Sequence, residues 1–214
     1  MPPPCLDCAP PDLCAIVLAG GRSSRMGQDK ALIPINGIPL LQRTCDVAAA
    51  CCDRAYVVTG RSQDYQHLPL ARQCQFLSES NPEGPLVGFY VGLRQLDTQA
   101  VLTNCDWILL LACDLPNLQA SELQRWASQL PQLSETVMAY LPKYSASGTN
   151  PSHKQWEPLC GFYRRDCLPS LKGFIADGGR SFQRWLDRIQ VAEILNVNPL
   201  VLFNCNTPQD FSEL

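Results

Sequence analysis

The sequence predicts an α/β fold in which helices cover both faces of a mostly parallel central sheet, giving three layers. Short apolar runs rich in β-branched residues alternate with longer segments whose apolar residues recur at helical spacing. With 214 residues, 46% of them apolar, the chain is long enough to bury the core of one such domain and short for two. We therefore predict a single domain over residues 14–214. Residues 1–13 contain five prolines and are predicted to be a flexible tail.

The first predicted strand is "CAIVLAG" at residues 14–20, an apolar run that ends at glycine. The clearest strand is "DWILLLACD" at residues 106–114, because its apolar residues form an unbroken run. After the last strand we expect a turn and the start of a helix, with Thr207 as the N-cap and Pro208 at the first helical position. The remaining predicted strands cover residues 54–60, 74–78, 136–141 and 157–165, and the last one begins at Val201.

The spacing of apolar residues predicts a helix over residues 39–53, with Pro39 near its start. Further helices are predicted at 84–96 and 119–130, and two short ones within 167–189 around Gly178 and Gly179. The segment 142–155 is polar and rich in turn residues. It is either a cover over a substrate or a variable surface loop, and its sequence favours neither.

Composition excludes several classes of function. A net charge of −3 does not favour nucleic acid or a membrane surface as a partner, and no apolar run approaches the about 18 residues of a membrane span. The N-terminus lacks the basic and apolar regions of a secretory signal, so we expect a cytoplasmic location. The two histidines are too few for a histidine-rich metal site.

The twelve cysteines are scattered, several of them in apolar runs, and do not indicate a disulfide framework. Cys5 and Cys8 form a C-x-x-C pair, but no second pair lies at the spacing of a zinc site. A metal site and a tail with two thiols therefore both remain open for this pair.

A polar segment with several charges follows the first strand. It contains neither the G-x-G-x-x-G nor the G-x-x-x-x-G-K-[ST] pattern. Gly20 and Gly21 nevertheless allow a ligand to approach the main chain, and Arg25 and Lys30 supply positive charge that suits phosphate oxygens. We expect Asp29 to orient Lys30 or to pair with Arg25. The residues alone leave open whether this segment binds phosphates or is only a turn with a solvated charged face.

Asp114 directly follows the clearest predicted strand, where a carboxylate is useful at the rim of the core and costly inside it. Such sheets bind ligands at the carboxyl ends of their strands, so we expect Asp114 to lie near the glycine segment. A carboxylate beside a triphosphate is typical of a Mg²⁺ site. The alternative is an ordinary turn or helix-capping aspartate.

Five stretches of the sequence share a pattern with one known family, and they are "LAGGRSSRMGQDKAL" (18–32), "EGPLVGF" (83–89), "CDLP" (113–116), "EPLCGFYRR" (157–165) and "FNCNTPQD" (203–210). Together they resemble a family of nucleotidyltransferases whose signature is L-A-G-G-x-S-x-R-M-G-x-D-K. The resemblance extends over nearly the whole chain after residue 13. Within that family the chain is most similar to the molybdenum cofactor guanylyltransferase branch, which has two glycines after the alanine and ends with Asn-x-Asn-Thr-Pro.

The resemblance implies a Rossmann-like nucleotidyltransferase fold and the Mg²⁺-dependent transfer of GMP from GTP to the terminal phosphate of molybdenum-molybdopterin, with release of pyrophosphate. GTP and molybdopterin would be the substrates, and molybdopterin-handling proteins and molybdoenzymes the protein partners. The implied catalytic residues are Arg25, Lys30 and Asp114, with Asp114 as the metal ligand. The implied GTP-binding residues are Leu18, Ala19, Gly20, Gly21, Lys30, Glu79 and Asp114. The implied pterin-side residues are Arg180, Asn204 and Asn206.

The sequence departs from the family pattern at two places that help to hold the nucleotide. Thr59 to Arg61 stand where the family has a polar pair with asparagine, and Glu79 is the nearest acid to the family's aspartate after the third strand. The choice between guanine and cytosine therefore stays open. The alternatives are a transferase that uses CTP (a molybdopterin cytidylyltransferase) or a sugar-phosphate acceptor, and a non-catalytic nucleotide-binding adaptor. The presence of both Lys30 and Asp114 argues against the adaptor.

Overall fold

The computed structural model describes residues 12–20, 29–143 and 156–205, and its centre is a seven-stranded sheet. The strands are β1 (Leu13–Leu18), β2 (Pro34–Ile35), β3 (Ile38–Pro39), β4 (Arg54–Thr59), β5 (Cys74–Ser78), β6 (Trp107–Ala112), β7 (Ala139–Pro142), β8 (Cys160–Arg164) and β9 (Val191–Ile194). The helices are α1 (Leu40–Cys51), α2 (Ser62–Tyr65), α3 (Pro85–Thr98), α4 (Ala120–Ala127), α5 (Leu168–Ala176) and α6 (Phe182–Leu186).

The large sheet has the strand order β5-β4-β1-β6-β8-β7-β9. Strands β5, β4, β1 and β6 are parallel, and so are β7 and β9, whereas β8 is antiparallel to both of its neighbours. The prediction of a mostly parallel sheet is therefore confirmed. The register pairs Leu18 with Ala112, so the carboxyl ends of β1 and β6 lie side by side.

Strand β1 is buried along its whole length, and its alternate side chains enter two separate cores. Ala15 and Val17 belong to the core beneath α1 and α4, whereas Ile16 and Leu18 belong to the core beneath α3, α5 and α6. Fully burying a valine, leucine or isoleucine side chain contributes about 1.5–3 kcal/mol to the free energy of folding. Helices thus cover both faces of the sheet, and the predicted three-layer α/β architecture is confirmed.

The predicted helices at 39–53, 84–96 and 119–130 are observed as α1, α3 and α4, and the two short ones predicted within 167–189 as α5 and α6. Gly178 separates α5 from α6 because its φ of 84° lies in the left-handed region, which favours glycine. The N–H groups of Gly178 and Gly179 donate to the carbonyls of Ile175 and Phe174 at 3.0 and 2.9 Å. These bonds end α5 in the way typical of glycine-terminated helices.

The prediction of a strand beginning at Val201 is wrong. Residues Pro199–Leu202 form a 3-10 helix instead, because Pro199 restricts φ and the Asn198 side chain accepts a hydrogen bond from the N–H of Leu200 at 3.1 Å. Strand β9, the short hairpin of β2 and β3, and helix α2 were not predicted from the sequence. Each of these elements has only two to four residues, too few for a periodic pattern.

Several expectations fall on residues outside the described ranges. They concern the proline-rich tail with Cys5 and Cys8, most of the loop 142–155, and the helix start at Thr207 and Pro208. The single-domain boundary at residue 14 stays a prediction. The ten cysteines of the described part are free thiols. No helix among the described residues has the length and apolar character needed to cross a bilayer.

Candidate functional site at the carboxyl edge of the sheet

An ion pair joins the segment after β1 to the segment after β6. The Nζ of Lys30 lies 3.0 Å from Oδ2 of Asp114, and the two side chains are only 16% and 26% exposed. Lys30 begins the 3-10 helix Lys30–Leu32, and Asp114 stands two residues beyond the end of β6. The prediction that the carboxyl ends of neighbouring strands bring these two residues together is confirmed.

The main chain at the end of β1 reaches the same edge. Leu18 and Ala19 are buried, and the N–H of Ala19 donates to the carbonyl of Val58 at 3.1 Å. Gly20 follows and is exposed. The neighbouring Gly21 and Arg25, predicted to bind GTP and phosphate, lie outside the described residues.

Asp29 is held by residues that were not predicted to belong to the site. Its Oδ1 accepts a hydrogen bond from the N–H of Ala31 at 3.1 Å, and its Oδ2 accepts one from the hydroxyl of Tyr65 at 2.6 Å. Nη2 of Arg61 lies 2.8 Å from the same Oδ2. Asp29 therefore caps the turn that carries Lys30, which agrees with an orienting role, while its cationic partner in the described structure is Arg61.

Glu79 is a buried carboxylate at the same edge, one residue beyond β5. Only 7% of the residue is exposed, and within residues 12–20, 29–143 and 156–205 its Oε1 has no hydrogen-bond partner. Burial raises the pKa of this carboxyl above its usual value. A methyl group at Gly88 would lie 3.3 Å from Oε1, and one at Gly20 would lie 3.9 Å from Oε2. The carboxylate thus lies between the end of β1 and α3, where a ligand with N–H donors would satisfy it.

The donor set around Asp114 suits a hard cation. Burial and the charge of Asp114 raise the pKa of the adjacent Cys113 thiol to about 12, so this thiol is protonated at neutral pH. In the described part of the chain, no cluster of three or more His, Cys, Asp or Glu side chains is arranged to hold a metal ion. Asp114 fits Mg²⁺ because this ion takes one or two carboxylates and completes its shell with phosphate and water oxygens.

The predicted pterin-side residues differ in their surroundings. Asn204 lies beside the Asp114 segment, because the N–H of the following Cys205 donates to the carbonyl of Asp114 at 3.1 Å. The guanidinium of Arg180 is instead paired with Glu83, with Nε and Nη2 at 2.9 and 2.8 Å from Oε2. Asn206 lies outside the described residues.

Arg61 and Tyr65 belong to the candidate site by their contacts with Asp29 and were not among the predicted site residues, although Arg61 lies in a stretch that helps to hold the nucleotide in the resembling family. A signal was present for Arg61, because it stands two residues beyond the end of β4 and so at the same edge of the sheet as Lys30. Tyr65 gave no such signal. Its hydroxyl reaches Asp29 across 36 residues of sequence, through the fold of α2.

The chain is similar over most of its length to proteins of one family. The sequence model of the MobA-like NTP transferase domain matches residues 15–192. A probable molybdenum cofactor guanylyltransferase from Trichormus variabilis is 50% identical over 94% of this chain and 89% of that protein. A probable molybdenum cofactor guanylyltransferase from Synechococcus elongatus is 41% identical over 95% of this chain and 98% of that protein.

The fold is likewise similar to that of a solved structure. The molybdopterin-guanine dinucleotide biosynthesis protein A of Archaeoglobus fulgidus superposes with a TM-score of 0.70 at 20% identity. The match covers 94% of this chain and 95% of that one. The Rossmann-like fold predicted from the resemblance is thereby confirmed.

Proposed function

The chain belongs to the MobA-like NTP transferase family, and we propose from that premise that it transfers GMP from GTP to the terminal phosphate of molybdenum-molybdopterin. The products are the guanine dinucleotide form of the cofactor and pyrophosphate. Relatives at 50% and 41% identity carry the name of this activity. The observation that carries the proposal within this chain is the Lys30–Asp114 pair at the carboxyl edge of the sheet.

The chemistry is an in-line displacement at the α-phosphorus of GTP. An oxygen of the acceptor phosphate forms a bond to this phosphorus, and the bond from the phosphorus to the oxygen that bridges to the β-phosphate breaks. The electron pair leaves with pyrophosphate. No covalent enzyme intermediate is needed, so the protein acts by holding the two substrates in line and by neutralising charge.

Lys30 supplies the positive charge for this step. The Lys30 side chain is only 16% exposed, so water screens its charge less than at an open surface. With GTP bound, Lys30 contacts the triphosphate and stabilises the charge that develops on pyrophosphate. Arg25, which follows the same glycine segment in the sequence, is proposed to assist it.

Asp114 would hold Mg²⁺ through its carboxylate. The metal, when bound, would neutralise triphosphate charge and favour departure of pyrophosphate. Asp114 is suited to this because Lys30 engages Oδ2 at 3.0 Å, while no described residue is bonded to Oδ1. The proximity of Cys205 to Asp114 supports a place for Asn204 on the acceptor side of the metal. Asn206 is proposed to act on the same side from the family motif alone. Arg180 would reach the acceptor only by leaving Glu83, so its role stays a prediction.

Glu79 is proposed to select guanine. Guanine presents a ring N–H and an amino group side by side, and one carboxylate accepts hydrogen bonds from both. Cytosine has an amino group but no neighbouring ring N–H to accompany it. The buried, unpartnered Oε1 of Glu79 among the described residues supports this assignment, and so does the nearness of its carboxylate to Gly20. A base without this pair of donors leaves the Glu79 carboxylate short of hydrogen bonds, and this weakens the binding of that base.

The proposal is tested by measuring pyrophosphate release with each nucleoside triphosphate, with and without molybdopterin and with and without Mg²⁺. We expect release with GTP only when acceptor and Mg²⁺ are both present, and a much lower rate with CTP. The reaction is proposed to take place in the cytoplasm, and molybdopterin-handling proteins and molybdoenzymes stay proposed partners.

A further inference from the structure

Asp29, a half-buried carboxylate, connects separate segments of the site, and Asp29 with its partners Arg61 and Tyr65 is called the Asp29 clamp. Asp29 is only 12% exposed, and its two oxygens connect the Lys30 turn to the end of β4 and to α2. The tyrosine in this clamp is rigid, because Tyr65 is completely buried and its ring stacks on Phe76 with centroids 6.4 Å apart. The backbone of Arg61 is held by a local hydrogen bond, in which its N–H donates to the hydroxyl of Thr59 at 3.1 Å.

We propose that Arg61 and Tyr65 are positioning residues that act through Asp29 to hold Lys30 at the reacting phosphates. This inference rests on the proposed function, because it takes Lys30 as the triphosphate ligand. Lys30 belongs to a 3-10 turn of three residues, and a turn this short is not stable by itself. Its geometry depends on Asp29, which accepts both from Ala31 and from the two clamp residues.

The clamp also has an electrostatic effect. Asp29 adjoins Lys30, and an uncompensated carboxylate there would repel a triphosphate and weaken the field of the ammonium. Arg61 and Tyr65 direct a positive charge and a hydroxyl donor at Oδ2 and so confine the negative charge of Asp29 to the clamp. Burial, together with the bond to Asp29, raises the pKa of Tyr65, so that the phenol remains a donor throughout the working pH range.

The test uses the full chain and the variants Tyr65→Phe and Arg61→Gln, with Arg61→Lys as the conservative substitution. Tyr140→Phe is the matched control, because Tyr140 is also buried and its hydroxyl donates to Oε1 of Gln129 at 3.1 Å. We expect Tyr65→Phe and Arg61→Gln each to lower kcat for pyrophosphate release about tenfold. This is less than the about 100-fold loss of rate that a 1 Å misplacement of a catalytic group can cause. We expect Arg61→Lys to recover part of the loss and Tyr140→Phe to match the wild type.

A double-mutant comparison separates positioning from general loss of structure. In a Lys30→Gln background, Tyr65→Phe is expected to cause no further loss of kcat for pyrophosphate release, because the residue that it positions is already gone. An equal loss in both backgrounds would overturn the inference. Wild-type behaviour of Tyr65→Phe would also overturn it and would leave the transferase function intact, whereas absence of pyrophosphate release from the wild type would instead overturn the function.

Discussion

The Nζ of Lys30 lies 3.0 Å from Oδ2 of Asp114, although 84 residues separate the two along the chain. The contact exists because β1 and β6 are parallel neighbours, so the segments that follow them meet at one edge of the sheet. The cation that we propose to bind phosphate and the carboxylate that we propose to bind a metal are thus next to each other before substrate arrives. Binding of a metal-triphosphate complex would then exchange partners rather than create two new buried charges.

Asp114→Asn separates the metal role from a purely structural one. We expect kcat to fall by about 10² or more, because the amide is a much poorer ligand for Mg²⁺ and the charge on pyrophosphate is less well neutralised. Without Mg²⁺, GTP should bind the variant at least as tightly as the wild type, because Lys30 is released from its partner and a negative charge is removed. Steady-state kinetics and a metal-free binding titration check the two parts. Equal kcat in variant and wild type would contradict the assignment.

Glu79→Gln tests the selection of guanine. Replacing the acceptor carboxylate by an amide places a donor against the N–H groups of the base, so GTP affinity should fall about tenfold or more. Inosine triphosphate lacks the amino group, and the wild type should bind it more weakly than GTP. The preference for GTP over inosine triphosphate should shrink in the variant, and a titration with both nucleotides measures it. An unchanged preference would show that another group recognises the base.

The same substitution has a predicted effect on stability. The pKa of Glu79 is raised in the folded state because burial disfavours the charged carboxylate. Between its ordinary value of about 4.3 and its raised folded value, the folded protein binds more protons than the unfolded one, so the free energy of unfolding falls as the pH rises. The Glu79→Gln variant has no carboxyl at this position, so its free energy of unfolding does not fall in this way as the pH rises. At pH 7 it should be more stable than the wild type, and the difference in stability should shrink toward pH 4. Thermal unfolding across this range measures it, and a variant less stable at pH 7 contradicts the predicted cost of the buried charge.

The substitution Gly92→Ala tests how closely α3 packs against the sheet that carries the site. A methyl group there would lie 2.9 Å from Cγ2 of Val58 and 3.1 Å from Cδ1 of Ile16, inside normal contact distance. Gly92→Ala should lower the free energy of unfolding by about 1–3 kcal/mol. Gly173→Ala is the matched control, because Gly173 is also helical and nothing lies within 4 Å of its added methyl. The control should be stabilised by up to about 1 kcal/mol, and equal changes in both variants would contradict this packing.

The central strands and helices were predictable because their patterns are long. The run "WILLLA" of β6 and the apolar spacing of α1 each continue for six or more residues, which identifies the element whatever it packs against. Strand β9 was not predictable, because it has four residues and only Ile194 is fully buried. The proximity of Lys30 and Asp114 followed from topology, since two parallel strands end at the same edge.

The Asp29 clamp could not be predicted in this way. The position of Arg61 after β4 indicates this edge of the sheet, but its pairing with Asp29 and the approach of Tyr65 depend on the path of the chain after β4. The burial of Glu79 could not be predicted either, because a glutamate flanked by two serines indicates a solvated loop. These contacts depend on tertiary packing rather than on any local pattern.

Pyrophosphate release from GTP in the presence of molybdopterin and Mg²⁺ tests the central claim most directly. We predict release that requires all three components, that falls sharply when CTP replaces GTP, and that Asp114→Asn reduces by about 10² or more. The guanylyltransferase assignment would be contradicted by equal release with CTP, or by release that persists without acceptor. Full activity of Asp114→Asn would contradict the catalytic role of the Lys30–Asp114 pair.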